Sequence, residues 1–194
     1  MMGRRNAFTL VELLVAVAII GLLVAILLPG LRKARIQTKR TVCATNLKQI
    51  GVGLQSYLME SRDRLPFASF LPSTGPFPID GDEAIYIADV LLAHVGNEPR
   101  VFHCPNDETG VDRPAPNHGL SYYESERSSY EYRIQIGGQK IEQVVTRMKR
   151  FGGRTVTDNT IWIMRDYDNF HGEAGQPGAR RYLYIDGHVE DFEN

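Results

Sequence analysis

Only two cysteines and one tryptophan occur in this chain of 194 residues. So few thiols exclude a disulfide-rich scaffold and a zinc site built on thiolates. A single bridge, Cys43 to Cys104, stays open for an oxidising compartment. Also missing are a glycine-rich phosphate loop, a serine elbow and an HExxH helix. With no convergent nucleophile, base and oxyanion donors, nothing points to an enzyme. Low-complexity tracts are absent too, and 43% hydrophobic residues suit a folded protein. The body lacks the positive charge that phosphate contacts demand, so no nucleic-acid partner is expected. Residues 1–40 sum to +6 (Arg4, Arg5, Arg32, Lys33, Arg35, Lys39 and Arg40 against Glu12), whereas the remainder sums to −7. A basic, apolar head on an acidic body is a membrane pattern.

The chain's most informative stretch is Ala7 to Leu28, 22 residues with one charge. As a helix it rises about 33 Å, enough to cross a bilayer's hydrocarbon core. A buried core helix is seldom apolar on every face over such a length. A secretory signal needs a small-x-small cleavage site, but this run ends in Pro29-Gly30-Leu31-Arg32-Lys33-Ala34. Within the run, an ionised Glu12 costs on the order of 3 kcal/mol in hydrocarbon. A plain anchor gains nothing from that cost, so Glu12 needs a partner in the working protein.

Phe8-Thr9-Leu10-Val11-Glu12, behind the short basic leader Met1–Ala7, resembles the signal of type IV prepilins and type II secretion pseudopilins. Gly21 within the run and Pro29 at its end extend the likeness. The resemblance implies cleavage between Ala7 and Phe8 by a prepilin peptidase, then methylation of the Phe8 amine. It also implies that Glu12 neutralises that amine on a neighbouring subunit, two charges compensating in an apolar bundle. Ala7 departs from the glycine usual before the cut, which predicts slower processing. Two arginines precede the run and five basic residues follow it closely, so the positive-inside rule alone puts the body in the cytoplasm. The resemblance reverses this: leader cytoplasmic, single pass through the inner membrane, C-terminal domain periplasmic. We adopt the second orientation, because the leader must meet the peptidase.

Beyond the run, Ile36, Cys43, Leu47, Ile50, Leu54, Tyr57 and Leu58 share one helical face, and Leu65-Pro66 ends the pattern. A kink or local melting is expected at Pro29. Leu65 to Gly81 reads as an irregular loop, Asp82 to Val95 as a helix with Asp82 at its N-cap, and Phe102 to Tyr122 as loop. Ser129 to Ile136 alternates as a strand, and Ile141 to Phe151 forms an amphipathic helix. Thr160 to Met164 reads as a central strand, and Arg181 to Phe192 as a hairpin turning on Asp186-Gly187. The expected fold is α+β and pilin-like: a long N-terminal helix packed on a small, mostly antiparallel sheet. Its parts are a leader (1–7), a transmembrane helix (8–30), an amphipathic stalk (31–64) and a globular domain (65–194).

Cys43–Tyr57, Val101–Asp107, Tyr130–Tyr132 and Tyr184–Phe192 also resemble a pilin-like group that closes with His-x9-Asp-Gly. Here fourteen residues separate His171 from Asp186, and Glu173–Ala179 has the look of an insertion. Asp166, Asp168, Asn169 and Asp186 form an oxygen-rich set of the kind calcium prefers. Solvated acidic loops are the plainer reading. Tyr122, Tyr123, Tyr130 and Tyr132 fit either a sugar-binding face or sheet packing, and His188 reads as a sheet residue. The functional expectation is a pseudopilin that assembles into a pseudopilus for type II secretion. Its partners are the prepilin peptidase, other pilin-like subunits, an inner-membrane assembly platform and membrane lipid. The alternative is a type IV pilus or DNA-uptake subunit with ligand-binding loops.

Overall fold

The computed structural model describes residues 10–69, 84–109, 119–152 and 160–191. It divides into two compact units, Met1–Thr38 and Lys39–Asn194. Helix α1, Leu10–Ser61, contributes to both.

In the first unit α1 is built from Leu, Val, Ile and Ala, and its large apolar side chains from Leu10 to Leu31 all stand exposed. The helix continues through Pro29, so the melting expected there does not occur. Proline withdraws one backbone donor, and the helix-favouring leucines on both sides carry the turn. Ile36, expected on the buried stripe, is 53% exposed.

In the second unit the stripe holds: Cys43, Leu47, Ile50, Leu54 and Leu58 are buried and Tyr57 packs against them. Gly51 and Gly53 let other backbone approach this helix closely. A Cβ on Gly51 would lie 2.9 Å from Leu183 Cδ1, and one on Gly53 would lie 2.6 Å from Val95 Cγ1. The helix ends where Arg62 and Asp63 turn left-handed, at φ 56° and 61°.

Strands β1 (Tyr130–Tyr132), β2 (Trp162–Asp166), β3 (Arg181–Tyr184) and β4 (Val189–Asp191) pair antiparallel in chain order. Together with α1 they make the α+β, pilin-like architecture that the sequence predicts. Tyr130 and Tyr132, two residues apart, face inward together. Their hydroxyls donate to the carbonyls of Cys43 and Pro66. The Gln55 amide donates to the Ile185 carbonyl at 2.7 Å, which holds α1 against the far end of the sheet.

Four local expectations are corrected. The strand expected to reach Ile136 stops at Tyr132, and Ile134–Ile136 form a 3-10 turn that buries Ile136. The helix expected over Asp82–Val95 is α2, Ile87–Leu91, followed by a 3-10 turn, Leu92–Val95, that closes on a left-handed Gly96. Asp82 lies outside the described residues, and Tyr86 stands at the N-cap. The final hairpin turns through Ile185-Asp186-Gly187, since Tyr184 N–H still donates to the His188 carbonyl. Gly187 supplies the left-handed residue, φ 87°, that three-residue hairpin loops need. Within the stretch read as loop, α3 (Tyr122–Glu126) forms behind a capping box. Ser121 Oγ accepts from Glu124 N–H, and the Glu124 carboxylate accepts from Ser121 N–H. Helix α4, Ile141–Gly152, and irregular backbone from Leu65 to Ser69 occur where expected.

Candidate functional site

Two sets of residues carry the functional reading, one in each compact unit. In the first, Glu12 sits in the opening turn of α1, where the helix dipole favours a carboxylate. From Leu13 to Leu28 no further charge occurs, and none of that apolar stretch is buried within the chain. A surface of this kind is stable only in lipid or in a bundle of similar helices. At Gly21 a Cβ would meet nothing within 4 Å, so the notch there faces outward. Ala7 and Phe8 lie outside the described residues.

In the second unit, polar and covalent fastenings hold α1 to the loop at residues 103–108 and to the backbone at His171. Cys43 and Cys104 are joined by a disulfide across a Cα–Cα distance of 5.1 Å, both fully buried. Lys39 Nζ donates to Glu108 Oε1 at 2.7 Å, and Asn46 Nδ2 donates to the His103 carbonyl at 2.8 Å. Arg40 donates to the His171 carbonyl. Positions 39, 40, 43 and 46 fall within two turns, so one short segment of α1 bears all four fastenings.

His171 lies buried behind the disulfide. Its Nε2 is 3.8 Å from Cys104 Sγ and 3.4 Å from Asp166 Oδ2. Asn106 Nδ2 donates to the Phe170 carbonyl and lies 3.1 Å from His171 Nδ1. With that amide orientation Nδ1 accepts, so the ring hydrogen sits on Nε2 and points to Asp166. Burial holds the His171 ring below its ordinary range, at about 4, and the Arg181 and Arg40 cations push the same way. Burial likewise drives the Asp166 carboxyl up to about 8, against the pull of its hydrogen bond from Arg181 N–H and of the Arg181 and Arg180 charges. Among the described residues Asp166 Oδ1 is buried without a hydrogen bond, so it is the oxygen placed to keep a proton.

The calcium candidates do not converge. Asp166 ends β2, whereas Asp186 lies in the hairpin loop whose neighbour Ile185 bonds to Ile161, just before that strand begins. Five strand steps from Ile161 to Asp166, roughly 17 Å, separate the two positions. Asp168 Oδ1 accepts from Asn169 N–H, and Asn169 Oδ1 accepts from Arg180 Nε. Asp186 Oδ1 accepts from His188 N–H, and His188 stacks on Tyr184 with ring centroids 4.3 Å apart. The tyrosines part company as well. Tyr130 and Tyr132 are core residues, while Tyr122 stacks on Tyr167 at 4.7 Å and Tyr123 lies against His103.

Sequence reasoning overlooked Arg40, Asn106 and Asp107, and left His171 without a role. Asp107 is buried and accepts from Tyr122 N–H, Tyr123 N–H and the Ser129 hydroxyl. It thereby ties the loop after Cys104 to the first turn of α3. Ser129 Oγ in turn accepts from Cys104 N–H at 2.9 Å. The signal for Asp107 was its place in Val101–Asp107, a string whose likeness to a family had no mechanism attached.

Residues 2–28 match the family model described as the prokaryotic N-terminal methylation motif. Among curated proteins, the type IV major pilin protein PilA of Myxococcus xanthus (strain DK1622) is 37% identical over 75 residues. That match covers 37% of this chain, and the chain spans about a third, 34%, of that pilin's length. No solved structure matches the chain. Over the matched residues the chain is similar to type IV pilins, by its N-terminal motif and by this identity.

Proposed function

We propose that the chain is the structural subunit of a membrane-anchored filament. It is made as a precursor, cut before Phe8 by a prepilin peptidase, methylated at the new amine and assembled through its N-terminal helix. The observation that carries this reading is Glu12, the one acidic residue of the exposed apolar helix within the matched motif. In lipid that charge is a cost; in a bundle of identical helices it meets the amine of a neighbour. Gly21 admits close approach in such a bundle, and Pro29 lies near its outer limit.

In this reading residues 1–7 are the leader, 8–30 the transmembrane helix, 31–64 the stalk and 65–194 the body outside the inner membrane. The Cys43–Cys104 bridge suits an oxidising compartment there. The partners are the peptidase, sister subunits and an inner-membrane assembly platform, and the role is mechanical rather than catalytic. The narrower reading is a pseudopilus serving type II secretion. Similarity to a major pilin favours a second, a type IV pilus subunit.

Two measurements test the proposal. Intact mass of the protein from membranes should correspond to a chain starting at Phe8 and carrying one methyl group; an uncut chain refutes it. Shearing cells then separates the two readings. A pilus subunit appears in the sheared extracellular filaments, whereas a pseudopilin stays with the envelope and its deletion blocks secretion.

A further inference from the structure

From Leu13 to Met59 the sequence contains no Asp or Glu, although Arg32, Lys33 and Arg35 follow the apolar run almost at once. All three are exposed, and none makes an ion pair among the described residues. The next two cations differ: Lys39 is bound to Glu108 and Arg40 to the His171 carbonyl. So the five basic residues that offend the positive-inside rule divide into two that fasten the body and three that make no ion pair among the described residues.

We propose that Arg32, Lys33 and Arg35 form a collar for anionic phospholipid, binding the phosphates of headgroups such as phosphatidylglycerol in the outer leaflet of the inner membrane. The proposal rests on the membrane-spanning reading of the N-terminal helix. Position argues for it first. If Leu28 marks the far edge of the hydrocarbon, the three cations stand about 6 to 10 Å beyond it, at headgroup depth. Lys39, about 16 Å beyond, stands clear of that layer. Shape argues for it next. At about 100° per residue the three side chains spread over roughly 160° of the helix circumference. Lipid surrounds a lone helix in this way, while one protein neighbour covers a narrower stripe. Chemistry agrees, because two of the three are arginines, whose fork matches phosphate oxygens bidentately. Exposed Leu31 and Ile36, 66% and 53% accessible, sit among the cations and can dip toward the acyl chains while the charges reach outward.

The test uses the full chain in bilayer discs made from a mixture of phosphatidylglycerol and phosphatidylcholine. Native mass spectrometry of the ejected protein counts the lipids that remain bound. Attraction of three cations to an anionic leaflet predicts about tenfold or greater enrichment of phosphatidylglycerol over phosphatidylcholine. R32Q/K33Q/R35Q should abolish the enrichment. K48Q/K149Q/R150Q removes the same charge from elsewhere in the chain and should preserve it. Equal binding of both lipids by the parent chain overturns the proposal, as does enrichment that survives in R32Q/K33Q/R35Q. If that variant keeps its lipids but loses assembly, the cations serve an acidic protein neighbour and the lipid collar is wrong. A parent chain extracted from vesicles by alkaline carbonate would refute the membrane-spanning reading itself, so the two failures are told apart.

Discussion

Replacing Cys43 and Cys104 together with alanine tests how the body is held to its helix. The bridge closes a loop across a sequence separation of 61. In the chain-entropy account, losing such a loop constraint costs about 4 kcal/mol at 25 °C. Both side chains are fully buried, so the lost sulfur contacts add to that cost. For a domain of this size each kcal/mol moves the midpoint by about 2 to 4 °C, so thermal unfolding should fall by about 10 °C. The assay is near-ultraviolet circular dichroism of the full chain in mild detergent, where Trp162 and the clustered tyrosines report tertiary packing. Lys39 and Asn46 still tie the helix to the loop, and Arg40 ties it to the His171 carbonyl, so the variant should fold and melt cooperatively. A midpoint within about 2 °C of the parent would refute the clamp as an energetic element. Free thiols on alkylation of the native protein would refute the bridge outright.

Three more predictions concern the same body. Raised to about 8, Asp166 binds a proton in the folded state that the unfolded chain releases near its ordinary 3.8, so this group makes stability fall as pH rises between those values. His171, lowered to about 4, acts oppositely between 4 and its ordinary 6.5, where the unfolded chain takes up the proton. The two effects offset up to pH 6.5. From there to pH 8 stability should drop by about 1 kcal/mol, read by denaturant titration. Asp166→Asn should remove the drop, and an unchanged slope in that variant contradicts the assignment. Gly53→Ala should destabilise by about 1 to 3 kcal/mol, because the new methyl meets Val95 Cγ1 and the His94 carbonyl; a neutral result in the same titration would mean that the contact yields freely. Calcium and chelator should give equal melting midpoints, since Asp186 stands apart from Asp166 and Asp168; a clear rise with calcium contradicts the observed separation.

What could be read from the sequence was whatever depends on spacing. The buried stripe from Cys43 to Leu58 follows from helical period, and β2 with the β3–β4 hairpin from short apolar runs around Asp186-Gly187. Ser129–Ile136 shows where alternation misleads. Past Tyr132 the chain turns so that Ile136 reaches the core, and backbone at Gly137 passes beside the Pro66 carbonyl, a tertiary contact that overrides the local pattern. Helix α3 was legible in principle, because Ser121-Tyr122-Tyr123-Glu124 is a capping box, but its five residues carry too little periodicity to announce a helix. The cluster of His171, Asp166, Asn106 and Arg40 was not legible at all. Its members lie up to 131 positions apart, and only the folded sheet brings them behind the disulfide.

The central claim is that Glu12 serves assembly and not anchoring. Its most direct test is Glu12→Ala in the full-length protein, with membrane insertion and filament incorporation measured on the same cells. Removing a charge from an apolar span can only ease insertion, so the variant should resist alkaline extraction as the parent does. Incorporation, read by cross-linking between subunits or recovery in filament fractions, should be lost. A variant that inserts and still incorporates at the parental level would contradict the account.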